Sequence, residues 1–211
     1  MKIYTRNGDA GFSRISPDVT LPKNHPAFEF LGELDELQIR IGSIFSFNVS
    51  VRSARERVIH ESVPPENKEK FREELFFLEK IQKMNYTISA WAYRVLAQKN
   101  LAKEDPLPEE IRQITVELES RMDAMDAVLE PLRDFILANG DSLSNIAHLA
   151  RTQSRKSERV FLTWIFHDHL ETEATAAMAI RYLNRLSDYF FVLARWIAHL
   201  GGHSDITYKD K

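Results

Sequence analysis

Glycine and proline are scarce and badly spread in this chain, and that constrains its fold more than any other feature. Only 7 Gly and 8 Pro occur among 211 residues, most of them near the ends or in short gaps. Long runs free of both residues read as helix. Five helical segments follow one another: Ala27 to Asn48, which holds only Gly32 and Gly42, and then, free of both residues, Glu66 to Gln98 after Pro64-Pro65, Glu109 to Leu129 after Pro108, Ser142 to His167, and Thr172 to His199. Asp141 or Ser142 is placed to cap the fourth, and Gly201-Gly202 ends the fifth. Apart from Ile3-Tyr4-Thr5, no stretch alternates as a strand does. The expectation is an all-α five-helix bundle, one domain over residues 1–211, with residues 1–26 as an extended N-terminal loop segment.

Composition removes several function classes. Charges interrupt every apolar run, so no segment reads as a membrane span. The start lacks the apolar core of a signal peptide, and a soluble cytoplasmic protein is the expectation. Without Cys there is no thiol nucleophile and no Cys-ligated zinc. A formal net charge of −3 gives no basic surplus for nucleic acid.

The last two helices carry clustered cations. At 100° per residue, Ile146, Leu149, Val160 and Trp164 share one side of the fourth helix, opposite His148, Arg151, Arg155 and Glu158 with Arg159 at the margin. On the fifth, Leu183, Leu186, Phe190, Leu193 and Ile197 form a stripe, opposite Arg181, Asn184, Arg185, Asp188 and Arg195. Both polar faces can be read as simply solvated. However, Arg151/Arg155 and Arg181/Arg185 are like-charge pairs at i,i+4, each a mild cost in an isolated helix. An anion or carboxylate between them explains the clustering, because the planar guanidinium grips phosphate through two hydrogen bonds. The segment from Thr5 to Ser13, with Gly8 and Gly11, can form an anion-binding nest or an ordinary turn. It lacks Walker spacing. His167 and His169, at i,i+2, diverge on a helix and are not read as a metal site, so no metal-ligating set is expected.

Several separated segments resemble one family. Lys2-Ile3-Tyr4-Thr5-Arg6-Asn7-Gly8-Asp9-Ala10-Gly11 is similar to the opening of PduO-type ATP:cob(I)alamin adenosyltransferases. The run Glu29 to Leu37, ending at Ile41-Gly42, resembles their first-helix motif. Phe135-Ile136-Leu137 with His148-Leu149-Ala150-Arg151 and Arg155-Lys156-Ser157-Glu158-Arg159 resembles the next. Tyr182 to Arg195 closely matches their C-terminal motif.

The resemblance implies a five-helix bundle assembled as a homotrimer with active sites between subunits. It implies transfer of the 5′-deoxyadenosyl group of ATP, with Mg²⁺, to the cobalt of a reduced corrinoid, cob(I)alamin, and release of triphosphate. Adenosylcobalamin then passes to a dependent enzyme. Cobalt is itself the nucleophile, so the corrinoid carries the hard chemistry and the protein supplies position and charge. By position, Thr5, Arg6, Asn7, Gly8, Ser13 and Lys23 line the triphosphate site. Arg155, Lys156, Glu158 and Arg159 complete it from the fourth helix, with Arg155 as the main charge stabiliser. Asn184, with Asp188 in the same motif, contacts the nucleotide from the fifth. Asp35 and Arg151 match an ion pair across the subunit boundary, although Arg151 pairing structurally with Asp188 is an equal alternative. Phe135 matches the aromatic that displaces the lower axial ligand of cobalt, and would otherwise be read as core.

The departures from the family pattern fall at the site. Asn7 stands where Thr is usual, Ala10 where Lys is usual, and Pro17-Asp18-Val19-Thr20-Leu21 replaces a basic pair. Ala138-Asn139-Gly140-Asp141 places a carboxylate beside the expected corrinoid pocket. Weaker ATP affinity is therefore expected. A competing expectation is a weakened member that binds or delivers corrinoid or nucleotide without turnover.

Overall fold

The computed structural model describes residues 4, 6, 8–53, 56–59, 63–97, 107–138 and 141–208. Five long helices dominate: α1 (Pro26–Asn48), α2 (Lys68–Ala97), α3 (Leu107–Asp126), α4 (Ser142–His167) and α5 (Ala174–Leu200). The expected boundaries hold to within a few residues at each end. Two hairpins accompany them: β1 (Phe12–Ser16) with β2 (Val19–Pro22), and β3 (Val49–Ser53) with β4 (Glu56–Ile59). The sequence reading expected neither. Pro17-Asp18 forms the two-residue turn of the first, and Ile15 and Leu21 pack partly buried against the core. The prolines do keep this stretch extended, but in paired strands rather than as a free loop.

Helix α4 packs between α1 and α5, α3 lies along α5, and α2 lies against α1 and α3. The central packing is aromatic. Phe30 from α1, Trp91 from α2, and Phe161 and Trp164 from α4 are all essentially buried, with ring centroids 4.7–6.2 Å apart. Full burial of side chains of this size contributes about 1.5–3 kcal/mol each. The stripe expected on α5 is the observed one: Leu183, Leu186, Phe190, Leu193 and Ile197 are all buried.

The face of α4 differs from expectation. Leu149 is 45% exposed, and Ile146 and Val160 are only half-buried. The buried line runs through Ala147, Ala150, Ser154, Ser157, Phe161 and Trp164. Small side chains let α1 approach closely. Their hydroxyls stay satisfied by bonding back along the helix, Ser154 Oγ to the Ala150 carbonyl at 2.9 Å and Ser157 Oγ to the Gln153 carbonyl at 3.0 Å. Arg195 also departs from its assigned polar face and is buried. Its guanidinium donates to Asp205 Oδ2 at 2.9 Å and to the Glu130 carbonyl at 2.6 Å. That buried cation fixes the chain that follows α5.

Candidate functional site

Backbone turns organise the N-terminal loop. Gly11 N–H donates to the Gly8 carbonyl at 3.2 Å, and Lys23 N–H donates to the Gly11 carbonyl at 2.8 Å. The β1–β2 hairpin thus returns Lys23 to the loop. Its amine lies so close that a Cβ built on Gly8 would stand 2.7 Å from Lys23 Nζ, so a larger residue there would push the amine aside. Arg6 takes a left-handed backbone, φ 62°, which costs a non-glycine residue about 1–2 kcal/mol. Arg6 and Lys23 are exposed and Ser13 is half-buried beside them in sequence on β1. Thr5 and Asn7 lie outside the described residues.

On α4 and α5 the expected residues fall into distinct groups. Asn184 Nδ2 donates to Glu158 Oε1 at 3.1 Å, so these two meet across the helix pair. Lys156 Nζ pairs with Glu33 Oε1 at 2.8 Å. Glu33 is a buried carboxylate on α1 to which sequence reasoning gave no role. Its other oxygen accepts from Gln153 Nε2 at 2.6 Å, and its backbone carbonyl accepts from Gln153 and Ser157. The hydrogen bond and charge of Glu33 push the Lys156 amine above its ordinary value. Arg155 is exposed and pairs with no carboxylate among the described residues, while Arg159 donates to its backbone carbonyl at 3.0 Å. Asp188 is held by Arg185 at 3.0 Å, not by Arg151. Asp35 is exposed on α1 and meets no cation among the described residues, so within one chain it does not pair with Arg151.

A cavity of about 1100 Å³ opens at the N-terminal half of α4, with Phe135, Ile136, His148, Arg151, Phe191 and Tyr208 among its walls. Phe135 is 86% exposed here, which rules out the core reading. The segment after α5 holds Phe135 in place. Tyr208 N–H donates to the Phe135 carbonyl and Leu137 N–H to the Ile206 carbonyl, both at 2.7 Å. Arg195, through Asp205, anchors that segment in turn. Nothing in the sequence pattern beyond an Arg in an apolar helix end pointed to it.

The cavity's polar atoms are under-bonded. His148 is buried and its Nδ1 has no hydrogen-bond partner; Arg151 Nε is likewise buried without one. Burial, reinforced by Arg151, lowers the His148 pKa, so the ring is neutral at pH 7. Burial, reinforced by Arg155, lowers that of Arg151, which remains a cation. Both side chains line the open cavity, and a cation and an imidazole among apolar walls suit a ligand with polar groups. Asp141 is not part of this wall. Its carboxylate caps α4, accepting from Leu143 N–H at 2.9 Å and Ser144 N–H at 3.0 Å. The expected carboxylate beside the pocket is therefore a helix cap.

Helices α1 and α4 run antiparallel. Glu33 meets Gln153 and Ser157, whereas His25 meets Asp168 at 3.4 Å. The loop bearing Lys23 thus sits at the C-terminal end of α4. At 1.5 Å per residue, about 20 Å of helix lies between Asp168 and Arg155, and about 25 Å between Asp168 and Arg151. No helix among the described residues is long and apolar enough to cross a membrane.

A family model described as cobalamin adenosyltransferase matches residues 3–197. The corrinoid adenosyltransferase MMAB of Mus musculus is 33% identical over 210 residues, covering 99% of this chain and 77% of the relative. The corrinoid adenosyltransferase PduO of Citrobacter freundii is 32% identical over 214 residues, 99% of this chain and 53% of the relative. A variant PduO-type ATP:corrinoid adenosyltransferase from Lactobacillus reuteri, solved in complex with cobalamin and ATP, superposes with a TM-score of 0.77. It is 27% identical, over 99% of this chain and 97% of that one.

Proposed function

From the premise that this chain belongs to the cobalamin adenosyltransferase family, we propose that it transfers the 5′-deoxyadenosyl group of ATP to the cobalt of cob(I)alamin. ATP enters with Mg²⁺ on its phosphate oxygens. The electron pair of Co(I) forms the bond to the ribose 5′ carbon, the C5′–O bond breaks, and triphosphate leaves with the electron pair of the broken bond. Cobalt ends formally as Co(III) bonded to carbon. Charge grows on the departing oxygen, and the protein's task is to meet it with fixed cations. Arg155 suits that role because it has no carboxylate partner among the described residues to be taken from. Lys23, Arg6 and the Gly8 turn hold the phosphate tail, Lys156 and Arg159 flank it, and Glu158 with Asn184 fixes the nucleoside.

The observation that carries this reading is the cavity of about 1100 Å³ with an exposed Phe135 on its wall and the under-bonded His148 and Arg151 beside it. Its size suits a macrocycle better than a nucleotide alone. Phe135 presents an apolar ring where the lower face of the corrin would lie. Displacing the axial base there leaves a four-coordinate Co(II) that is easier to reduce. Cob(I)alamin survives only under reducing conditions, which supports a reducing compartment such as the cytoplasm as the setting of the reaction.

One chain does not bring its own parts together. Its phosphate loop and its Arg155 stand at different levels of α4, about 20 Å apart along the helix. Cobalt and the 5′ carbon must meet at bonding distance. A site built from the loop of one subunit and α4 of the next removes the conflict, and it gives the exposed Asp35 a neighbouring Arg151 to pair with. We take the assembly to be a trimer. Anaerobic cob(I)alamin mixed with the protein and saturating MgATP should lose its spectrum as adenosylcobalamin and triphosphate appear. An unchanged spectrum contradicts the function, and a monomer in sedimentation contradicts the assembly.

A further inference from the structure

Another polar group lies at the far end of α4, where its last turn meets the lead into α1. His167 Nδ1 approaches Asp168 Oδ1 at 2.6 Å, and His25 Nε2 approaches the same oxygen at 3.4 Å. The two imidazole centroids are 5.0 Å apart at 80°. One ligand atom from each residue lies within 4.8 Å of the others. Ligand atoms each about 2.1 Å from one tetrahedral ion stand about 3.4 Å apart, so a closure of up to about 1.4 Å, within reach of side-chain rotation, seats all three. Sequence spacing hid the group, because it concerned His167 and His169. The residue that completes it, His25, comes from the other end of the chain.

We infer that His25, His167 and Asp168 bind one divalent transition ion of the Zn²⁺ or Co²⁺ type, clasping the entry of α1 to the exit of α4. Three features favour a site over an accidental cluster. The other carboxylate oxygen of Asp168 accepts from Trp164 Nε1–H at 2.7 Å, and Trp164 is fully buried, so a rigid second residue aims the ligand. The side chains are 12%, 21% and 54% exposed for His25, Asp168 and His167, leaving a path for an ion and room for a bound water. Two imidazoles and one carboxylate suit Zn²⁺, Co²⁺ or Ni²⁺ and not Mg²⁺, which keeps this ion separate from the one that accompanies ATP.

Binding has a proton cost. Ala27 N–H donates to His25 Nδ1 at 3.2 Å, which leaves the proton of the neutral ring on Nε2, facing Asp168. An ion at Nε2 shifts that proton to Nδ1 and breaks the cap. The His167 proton moves to its exposed Nε2. Affinity should therefore be modest. His25 is two residues beyond Lys23, so the clasp braces the segment that presents Lys23 to the phosphate tail.

The test uses untagged full-length protein without nucleotide or corrinoid, so its outcome is independent of adenosyl transfer. Titration with Co²⁺ at pH 7.5, read by visible d–d absorption, should show one equivalent bound, displaced by Zn²⁺. His25→Asn keeps a capping acceptor without the ring, Asp168→Asn keeps an oxygen for Trp164, and His167→Ala alters an exposed side chain. Each should weaken Co²⁺ binding by about tenfold or more. Zn²⁺ should raise the melting temperature of the wild type and not of these variants. A His199→Ala/His203→Ala variant, altered at exposed histidines elsewhere, should bind as the wild type does. Absence of Co²⁺ binding by the wild type, undiminished binding by the three variants, or loss of binding in the His199/His203 control would each overturn the site.

Discussion

The two ends of α4 are built on opposite principles. At the C-terminal end, the loop of Arg6, Gly8 and Lys23 is exposed, and backbone turns and a hairpin hold its cations outward. At the N-terminal half, His148 and Arg151 are drawn into a cavity until some of their nitrogens lose every partner. An exposed cation is stabilised by water whether or not a ligand is present, and contributes little until phosphate arrives. A buried under-bonded nitrogen is a standing cost to the fold. Substitutions at the loop should therefore tune affinity, while substitutions at the cavity should touch both ligand and stability. Of this chain's departures from the family pattern, Ala10 falls on the tolerant side, whereas Ala138 lines the cavity.

The sharpest break of that contrast is Arg155→Ala. It removes an exposed residue, so stability should change by no more than about 0.5 kcal/mol. Turnover of cob(I)alamin should nevertheless fall about 10²–10³-fold if this guanidinium meets the leaving oxygen. Intact turnover would move the charge stabiliser elsewhere. Between the two ends, Glu33→Ala removes the buried acceptor of Gln153 and the partner of Lys156. A loss of about 1–3 kcal/mol in urea unfolding is expected, with an unchanged m-value.

The cavity end also has a pH signature. The His148 pKa in the fold lies below its unfolded value, so the unfolded chain takes up the proton first as pH falls. This contribution to stability is full above about pH 6.5 and declines below it, by at most about 1.4 kcal/mol per pH unit. His148→Gln should flatten the pH dependence of the urea midpoint over that range. The smallest effect belongs to the loop. Ala10→Lys adds a cation to an exposed site worth about 1 kcal/mol, so KM for ATP should fall roughly fivefold with little change in kcat.

What the sequence revealed depended on how local each feature was. Helices were legible because glycine and proline punctuate the chain, and the α5 stripe because its apolar residues repeat at 3.6. The α4 seam was misread because Ser154 and Ser157 count as polar in any periodicity, yet are buried with their hydroxyls bonded to their own helix. The short hairpins were missed because a strand of four or five residues offers too few alternations to be distinguished from loop. Glu33 with Lys156, and His25 with Asp168, pair across more than a hundred residues. Only the antiparallel packing of α1 on α4 brings those partners together. Asp141 shows the converse: its place before a helix identified it as a cap, and the cap, not the pocket, is where its carboxylate acts.

The central claim, that the loop of one subunit serves α4 of another, is tested most directly by mixing two impaired proteins and assaying them at ATP well below the wild-type KM. Lys23→Ala and Arg155→Ala subunits, unfolded together and reassembled in equal amounts, place an intact loop against an intact α4 at about a quarter of the interfaces if assembly is random. The account predicts that adenosylcobalamin formation returns to roughly that fraction of wild-type activity. A mixture no more active than its two parents would show that each chain completes its own site, and would contradict it.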